Sequence, residues 1–210
     1  MSGRSKSNRA LVDKSKRLSW LLRHGASEVG LAMDEAGWVG VDEVLKALRM
    51  SLSDLEMVVR ENDKSRLQLE GGRVRACQGH SKDNRAVTLE GLERSWARYA
   101  SEASVWHGTS IDALPGIARD GVLPIARTHV HLAPTTNSKV GKRSAVHVML
   151  EVSPAKVREA GVELYSAPNG VILARSIPET AIVGLRAMTN RARETEAQLA
   201  RLFSFTPSVS

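Results

Sequence analysis

Arg23 and His24 stand side by side, directly after Leu21 and Leu22. A guanidinium offers a planar fork of donors that fits a phosphate, and a neighbouring imidazole can donate a hydrogen bond or a proton. The same pair also suits the C-terminus of a helix, where the dipole favours cations; taken alone, that capping role is the better reading. Lys64 and Arg66 lie two apart in an alternating stretch, so they project from one face of a strand. A charged edge strand that resists aggregation gives the same pattern. Further on, Gly79 within Arg75-Ala76-Cys77-Gln78-Gly79-His80-Ser81 points to a close backbone approach or a bend rather than a regular ladder.

Trp106-His107-Gly108-Thr109 falls where a strand turns into a helix. Glycine lets the backbone approach a ligand, and His107 and Thr109 can hydrogen-bond a ribose or an amide. In Arg127-Thr128-His129-Val130-His131-Leu132, a strand would place His129 and His131 on one face, the spacing of a metal pair. Zinc needs a third ligand, for which His107 or Glu151 is on offer. No second ligand pair of matched spacing exists, so packed or surface histidines are favoured over a metal, and none is expected. Asn169-Gly170-Val171 reads by itself as a hairpin turn.

The elements that must position these residues change character along the chain. Leu18, Leu21 and Leu22 mark a first helix that Gly25 can stop, and Val41, Val44, Leu45 and Leu48 mark a second. A third begins at a capping box with Ser53 as N-cap and Glu56 three residues on, with Leu52 and Met57 placed as a hydrophobic staple. Arg66 to Glu70 alternates, Gly71-Gly72 turns, and Arg73 to Cys77 returns with Val74 and Ala76 inward. Three helices and a hairpin are the outline of a winged-helix lobe, expected over residues 1–100. Its last part is a polar link with a helical stretch from Leu89 to Tyr99.

Residues 101–188 read as short strands at Val105-Trp106, Val130 to Leu132, Ala145 to Val152, Leu164-Tyr165 and Val171 to Leu173. Helices are expected from Ile111 to Arg119 and from Pro154 to Ala160, ending at Gly121 and Gly161. A polar helical tail is expected over 189–210. The whole is expected to be α+β.

Composition narrows the partners. The 210 residues carry a formal charge of +7, spread over both halves, which favours polyanions. A denser basic run holds Arg4, Lys6, Arg9, Lys14, Lys16, Arg17 and Arg23; a solvated helix face and an RNA contact explain it equally well. Cys77 is the single cysteine, which excludes an internal disulfide and a cysteine-based metal cluster. Four Trp, two Tyr and two Phe make a poor platform for the stacked bases of an RRM or OB fold. The polar, basic N-terminus and the absence of a long apolar run lead us to expect a soluble, cytoplasmic protein with no membrane partner.

Taken in order, the blocks say more. Leu-Leu-Arg-His (21–24), Gly-Leu-Ala-Met-Asp-Glu-Ala-Gly-Trp-Val (30–39), Asn-Asp-Lys-Ser-Arg (62–66), Val-Arg-Ala-Cys-Gln-Gly-His-Ser (74–81), His-Gly-Thr (107–109), His-Val-His-Leu (129–132) and Asn-Gly-Val (169–171) follow one another. This series closely resembles the tRNA 2′-phosphotransferase family, over about residues 14–185.

The resemblance implies a winged-helix lobe followed by an NAD-binding lobe of the ADP-ribosyltransferase kind. It implies catalytic roles for Arg23, His24, Arg66 and Arg127, and NAD contacts from His107, Gly108, Thr109, His131, Asn169 and Val171. It also implies phosphate or RNA contacts from Lys64, Arg75 and His80. The implied substrates are NAD and an RNA with an internal 2′-phosphate, as in tRNA splicing, RNA processing or RNA repair, and the implied protein is a monomer. In the implied reaction the 2′-phosphate displaces nicotinamide from NAD. The ribose 2″-hydroxyl then attacks phosphorus, releasing the RNA and ADP-ribose 1″,2″-cyclic phosphate.

The chain departs from the family pattern at Gly25-Ala26, where Lys-Pro is common, and at Ala133, Ile172 and Lys142-Arg143-Ser144. The competing readings are an ADP-ribosyltransferase that caps terminal phosphates of RNA or DNA, a non-catalytic RNA-binding or regulatory winged helix, and a histidine-dependent metal enzyme.

Overall fold

A computed structural model describes residues 2–62, 64–141 and 146–203, with side chains from residue 9 onward. The variant block Lys142-Arg143-Ser144 and the start of the strand expected from Ala145 lie outside the described residues. The described chain forms two compact units. One runs to Trp96 and takes in Ala126–Thr128; the other holds Ala97–Ile125 and everything from His129 onward. The stretch after residue 188 therefore belongs to the second unit rather than standing as a separate tail.

In the first unit, helix α1 (Ser2–Trp20) passes without a break into a wider, π-helical turn over Leu21–Gly25. Leu18, Leu21 and Leu22 are fully buried, and they meet Val44 of α2 (Val41–Leu48) and Leu55 and Val58 of α3 (Leu52–Arg60) in one core. A small antiparallel sheet completes it. Strand β1 (Val39–Gly40) pairs with β3 (Arg73–Ala76), which pairs with β2 (Leu67–Glu70). The hairpin is closed by Gly71 and Gly72, at φ 55° and 72°, a conformation that only glycine adopts freely. β1 has no counterpart in the sequence reading, because two residues carry no period.

Two helix ends differ from expectation. The N-cap of α3 is Ser51, not Ser53: its hydroxyl accepts from the Asp54 amide at 3.2 Å, and its backbone is extended, as a cap requires. Ser53 lies inside the helix and shares a hydrogen bond with Ser51, while Leu52 and Met57 are both exposed and form no staple. The helix expected over Leu89 to Tyr99 stops early, as α4 (Leu89–Arg94). Trp96 is drawn into the core, where its indole nitrogen donates to the Cys77 carbonyl at 2.9 Å.

The second unit begins with β4 (Ala97–Arg98). There follow β5 (Val105–Thr109), α5 (Leu114–Asp120), β6 (Val130–Leu132), β7 (Val148–Val152) and α6 (Pro154–Glu159). It closes with β8 (Tyr165–Ser166), β9 (Ile172–Ala174), β10 (Ile182–Ala187), α7 (Asn190–Glu194) and α8 (Glu196–Arg201). Two antiparallel sheets result, in the orders β10-β7-β5 and β4-β8-β9-β6. Their apolar faces and the flanking helices enclose Val105, Leu132, Leu150, Val152 and Ile172. Ala192 and Leu199 belong to the same core, which is why α7 and α8 pack onto the unit. Helices packed with small antiparallel sheets are compatible with an α+β chain.

The cap assignment is directly testable. Ser51→Ala should lower stability by ~1 kcal/mol, the usual worth of an N-cap, whereas Ser53→Ala should change it by less than half as much. Urea denaturation of the two variants checks this, and the reverse order would return the cap to Ser53.

Candidate functional site

One short backbone segment, Cys77 to Ser81, organises the cationic residues of the first unit. The Cys77 amide donates to the Arg66 carbonyl at 2.8 Å, fixing the arginine that precedes β2. Four residues on, the Ser81 amide donates to the Arg23 carbonyl at 3.1 Å, and Asn84 adds a second donor to that oxygen at 3.4 Å. Arg127 reaches the same segment from far along the chain. It forms an antiparallel bridge with Ser81, the Thr128 amide donates to the His80 carbonyl at 3.1 Å, and the Lys82 amide donates to the Ala126 carbonyl at 3.2 Å.

Local chemistry shapes each approach. Asn62 accepts from the Arg66 amide through Oδ1 at 3.0 Å and donates to Ser15 of α1 at 3.3 Å, which ties the Arg66 turn to the helix. Within that turn Ser65 takes φ 44°. Gly79, at φ 89°, lies against the Arg23 guanidinium. A methyl group there would sit 3.4 Å from its central carbon, so the bend that the sequence suggested is a close approach to Arg23.

The electrostatics follow from this convergence. Burial pulls the Arg23 pKa down to about 10, and the positive charges of Arg127 and Arg66 push the same way. Its Nε and one terminal nitrogen are buried with no hydrogen-bond partner among the described residues. A guanidinium with two buried, unpaired nitrogens facing two like charges is costly unless an anion completes it. His24, exposed beside it, is held below its ordinary value, first by partial shielding of its ring from water and then by Arg23 and Arg127. At neutral pH its ring is therefore neutral, able to donate one hydrogen bond and accept another.

The other candidates of this unit divide. Lys64 is half-buried in the Arg66 turn. Arg75 is held inside the first unit. It is 3% exposed, and its guanidinium donates to Gln68 at 2.9 Å and to the Ser95 hydroxyl at 2.7 Å while stacking on the Trp38 ring at 4.6 Å. His80 is fully buried, with its ring against Gly37, so its contribution is the carbonyl that holds Thr128. Both expectations came from the resemblance, and sequence alone does not tell an outward arginine or histidine from an inward one. Asn62 and Asn84 were not singled out in the sequence. A turn-forming Asn ahead of Lys-x-Arg was the available signal for Asn62.

In the second unit, His107 on β5 and His131 on β6 are brought together. His107 Nδ1 lies 3.2 Å from the His131 carbonyl. β5 and β6 are further tied by reciprocal bonds between Trp106 and Ala133 at 2.8 and 2.7 Å. Gly108 and Thr109 are buried in the same strand, and the Thr109 carbonyl accepts from the His147 amide at 3.0 Å. Asn169 accepts from the Val171 amide in the turn before β9, and Val171 is buried. Among the described residues no three His, Cys, Asp or Glu side chains gather as a metal site, and no helix is long and apolar enough to cross a membrane.

The α+β chain thus gathers three arginines, and a concentrated positive charge, about one backbone segment. The profile of the RNA 2′-phosphotransferase, Tpt1 / KptA family matches residues 9–176, and the chain belongs to that family. Among its relatives, proteins named "Probable RNA 2′-phosphotransferase" occur in Rhizobium johnstonii (33% identical, covering 80% of this chain and 90% of the relative) and in Bacillus thuringiensis subsp. konkukian (36%, covering 78% and 90%). A third, from Streptomyces griseus, is 36% identical over 81% of this chain and 94% of its own length.

The His24 environment sets a pH dependence. Its depressed value means that the unfolded chain binds the proton more readily. The associated stability is therefore full above the ordinary 6.5 and falls as pH drops through that value towards the folded midpoint. NMR titration of the free protein should give a His24 midpoint below 6.5, and saturating sulfate should raise it. A midpoint above 6.5 without anion would contradict the assigned surroundings.

Proposed function

We propose that this chain is an NAD-dependent RNA 2′-phosphotransferase that removes an internal 2′-phosphate from RNA. The observation that carries the reading is the buried Arg23 guanidinium, with unpaired donors, converging with Arg66 and Arg127. A phosphate monoester is the anion that such a planar, multivalent donor set fits best. In this reading the three helices and small sheet of the first unit act as a winged-helix lobe that takes the RNA phosphate. The second unit acts as an ADP-ribosyltransferase-like lobe that takes NAD. Its side chains suit that ligand: His107, Thr109 and Asn169 are hydrogen-bonding groups, with His131 beside them and the apolar Val171 nearby.

NAD, when bound, supplies the acceptor ribose, with nicotinamide as its leaving group. The rest falls to the side chains. The RNA 2′-phosphate is already anionic at neutral pH, so no carboxylate base is needed to make it a nucleophile, and Val171 suffices in a place where a general base would otherwise be wanted. Arg23, Arg66 and Arg127 bind the phosphate and stabilise the charge that builds on phosphorus during transesterification. His24, neutral and next to Arg23, orients a phosphate oxygen and moves a proton to or from it. Lys64 adds positive charge to the same end. His107 and His131 hold the nicotinamide riboside.

The decisive assay incubates the protein with NAD and a 2′-phosphorylated oligonucleotide. ADP-ribose cyclic phosphate in the mass spectrum is the expected product, whereas a stable ADP-ribosyl group left on the RNA would favour capping of phosphates instead. Arg23→Ala should slow release by ~10²–10³, the usual cost of losing one such donor. Because the buried charge is unpaired, the variant should melt no lower than the wild type, and phosphate should stabilise only the wild type. Near-normal turnover in Arg23→Ala would remove the residue from the mechanism.

A further inference from the structure

Trp20, 48% exposed, ends α1 and sets an aromatic side chain at the start of the turn that carries Arg23 and His24. The π-helical turn brings residue i+5 under residue i, which sets Gly25 beneath Trp20. A Cβ at position 25 would run into the six-membered ring of Trp20, so the ring packs close against the bare Gly25 backbone. Lys16, one turn earlier at i−4, is exposed on the same side of the helix; Arg23 follows three residues later.

An exposed tryptophan flanked along the chain by cations has the chemistry of a single-stranded nucleic acid platform, where a base stacks while its phosphates meet the charges. We propose that Trp20 stacks on a nucleobase adjoining the 2′-phosphate, and that Gly25 is required to seat the ring. This inference rests on the proposed function for its ligand, and adds that recognition extends from phosphate to a base. Stacking is indifferent to base identity, so the site would favour unpaired RNA without selecting a sequence.

The test compares two 2′-phosphorylated oligonucleotides by fluorescence anisotropy, one intact and one abasic on both sides of the phosphate. Trp20→Ala should weaken binding of the intact RNA about fivefold or more, the lower end of what a stacked base contributes. On the abasic RNA the same variant should lose less than about twofold, and Trp20→Phe should restore most of the binding to intact RNA. Gly25→Ala, which keeps the indole but displaces it, should reproduce the Trp20→Ala loss. Equal losses on both RNAs, or no loss on either, would overturn the proposal, and melting curves would identify a variant that has simply unfolded. Should the wild type bind the RNA yet release no cyclic phosphate, the functional reading falls, while the binding comparison still decides the role of Trp20.

Discussion

Three guanidinium groups of like sign repel one another, and in the first unit the force that holds them together comes from the backbone. Unit charges at 4 Å interact by ~1 kcal/mol in bulk water and several times that near a protein surface. The arginines themselves therefore favour dispersal. They stay because Arg66 and Arg23 are each bonded at the main chain to the Cys77–Ser81 segment, and the Arg127 stretch is bonded to it on both sides. The segment is in turn anchored by β3, by the Trp96 indole and by the enclosed His80 ring. The apolar core formed by α1, α2 and α3 supplies the stability against which that repulsion is maintained.

Such an arrangement stores an unsatisfied demand for negative charge. In the proposed reaction, a site preorganised in this way would not need to rearrange as charge develops on the phosphate, which is where such donors contribute most to rate. The same arrangement accounts for the neutral His24. Partial burial and its cationic neighbours suppress protonation, so the imidazole is not one more fixed cation.

Much of this was legible in the sequence. The α2 leucines and valines follow a helical period, and Gly71-Gly72 between alternating runs could only be a tight turn. The ordered motifs pointed to the arginines before any geometry was known. What escaped was decided at a distance. Ser51 and Ser53 are both plausible caps in isolation, and the choice depends on where α3 is packed. β10 was missed because Gly184 and a register shift opposite Glu151 interrupt its alternation. Arg75 looked like Lys64 and Arg66, yet Gln68, Ser95 and Trp38 satisfy it internally. The grouping of Ala126–Thr128 with the first unit is set by hydrogen bonds some 45 residues apart in sequence, as between Lys82 and Ala126, and no local pattern encodes them.

The single cysteine lies in the middle of this scaffold. Cys77 is 2% exposed, its thiol donates to the Ser65 carbonyl at 3.3 Å, and burial pushes its pKa up to about 11. Thiolate is the form that alkylates and oxidises, so the only native sulfhydryl is chemically silent in the folded state. A cysteine introduced anywhere on the surface would be the sole reactive handle, and either unit could carry a spectroscopic label without first deleting a native residue.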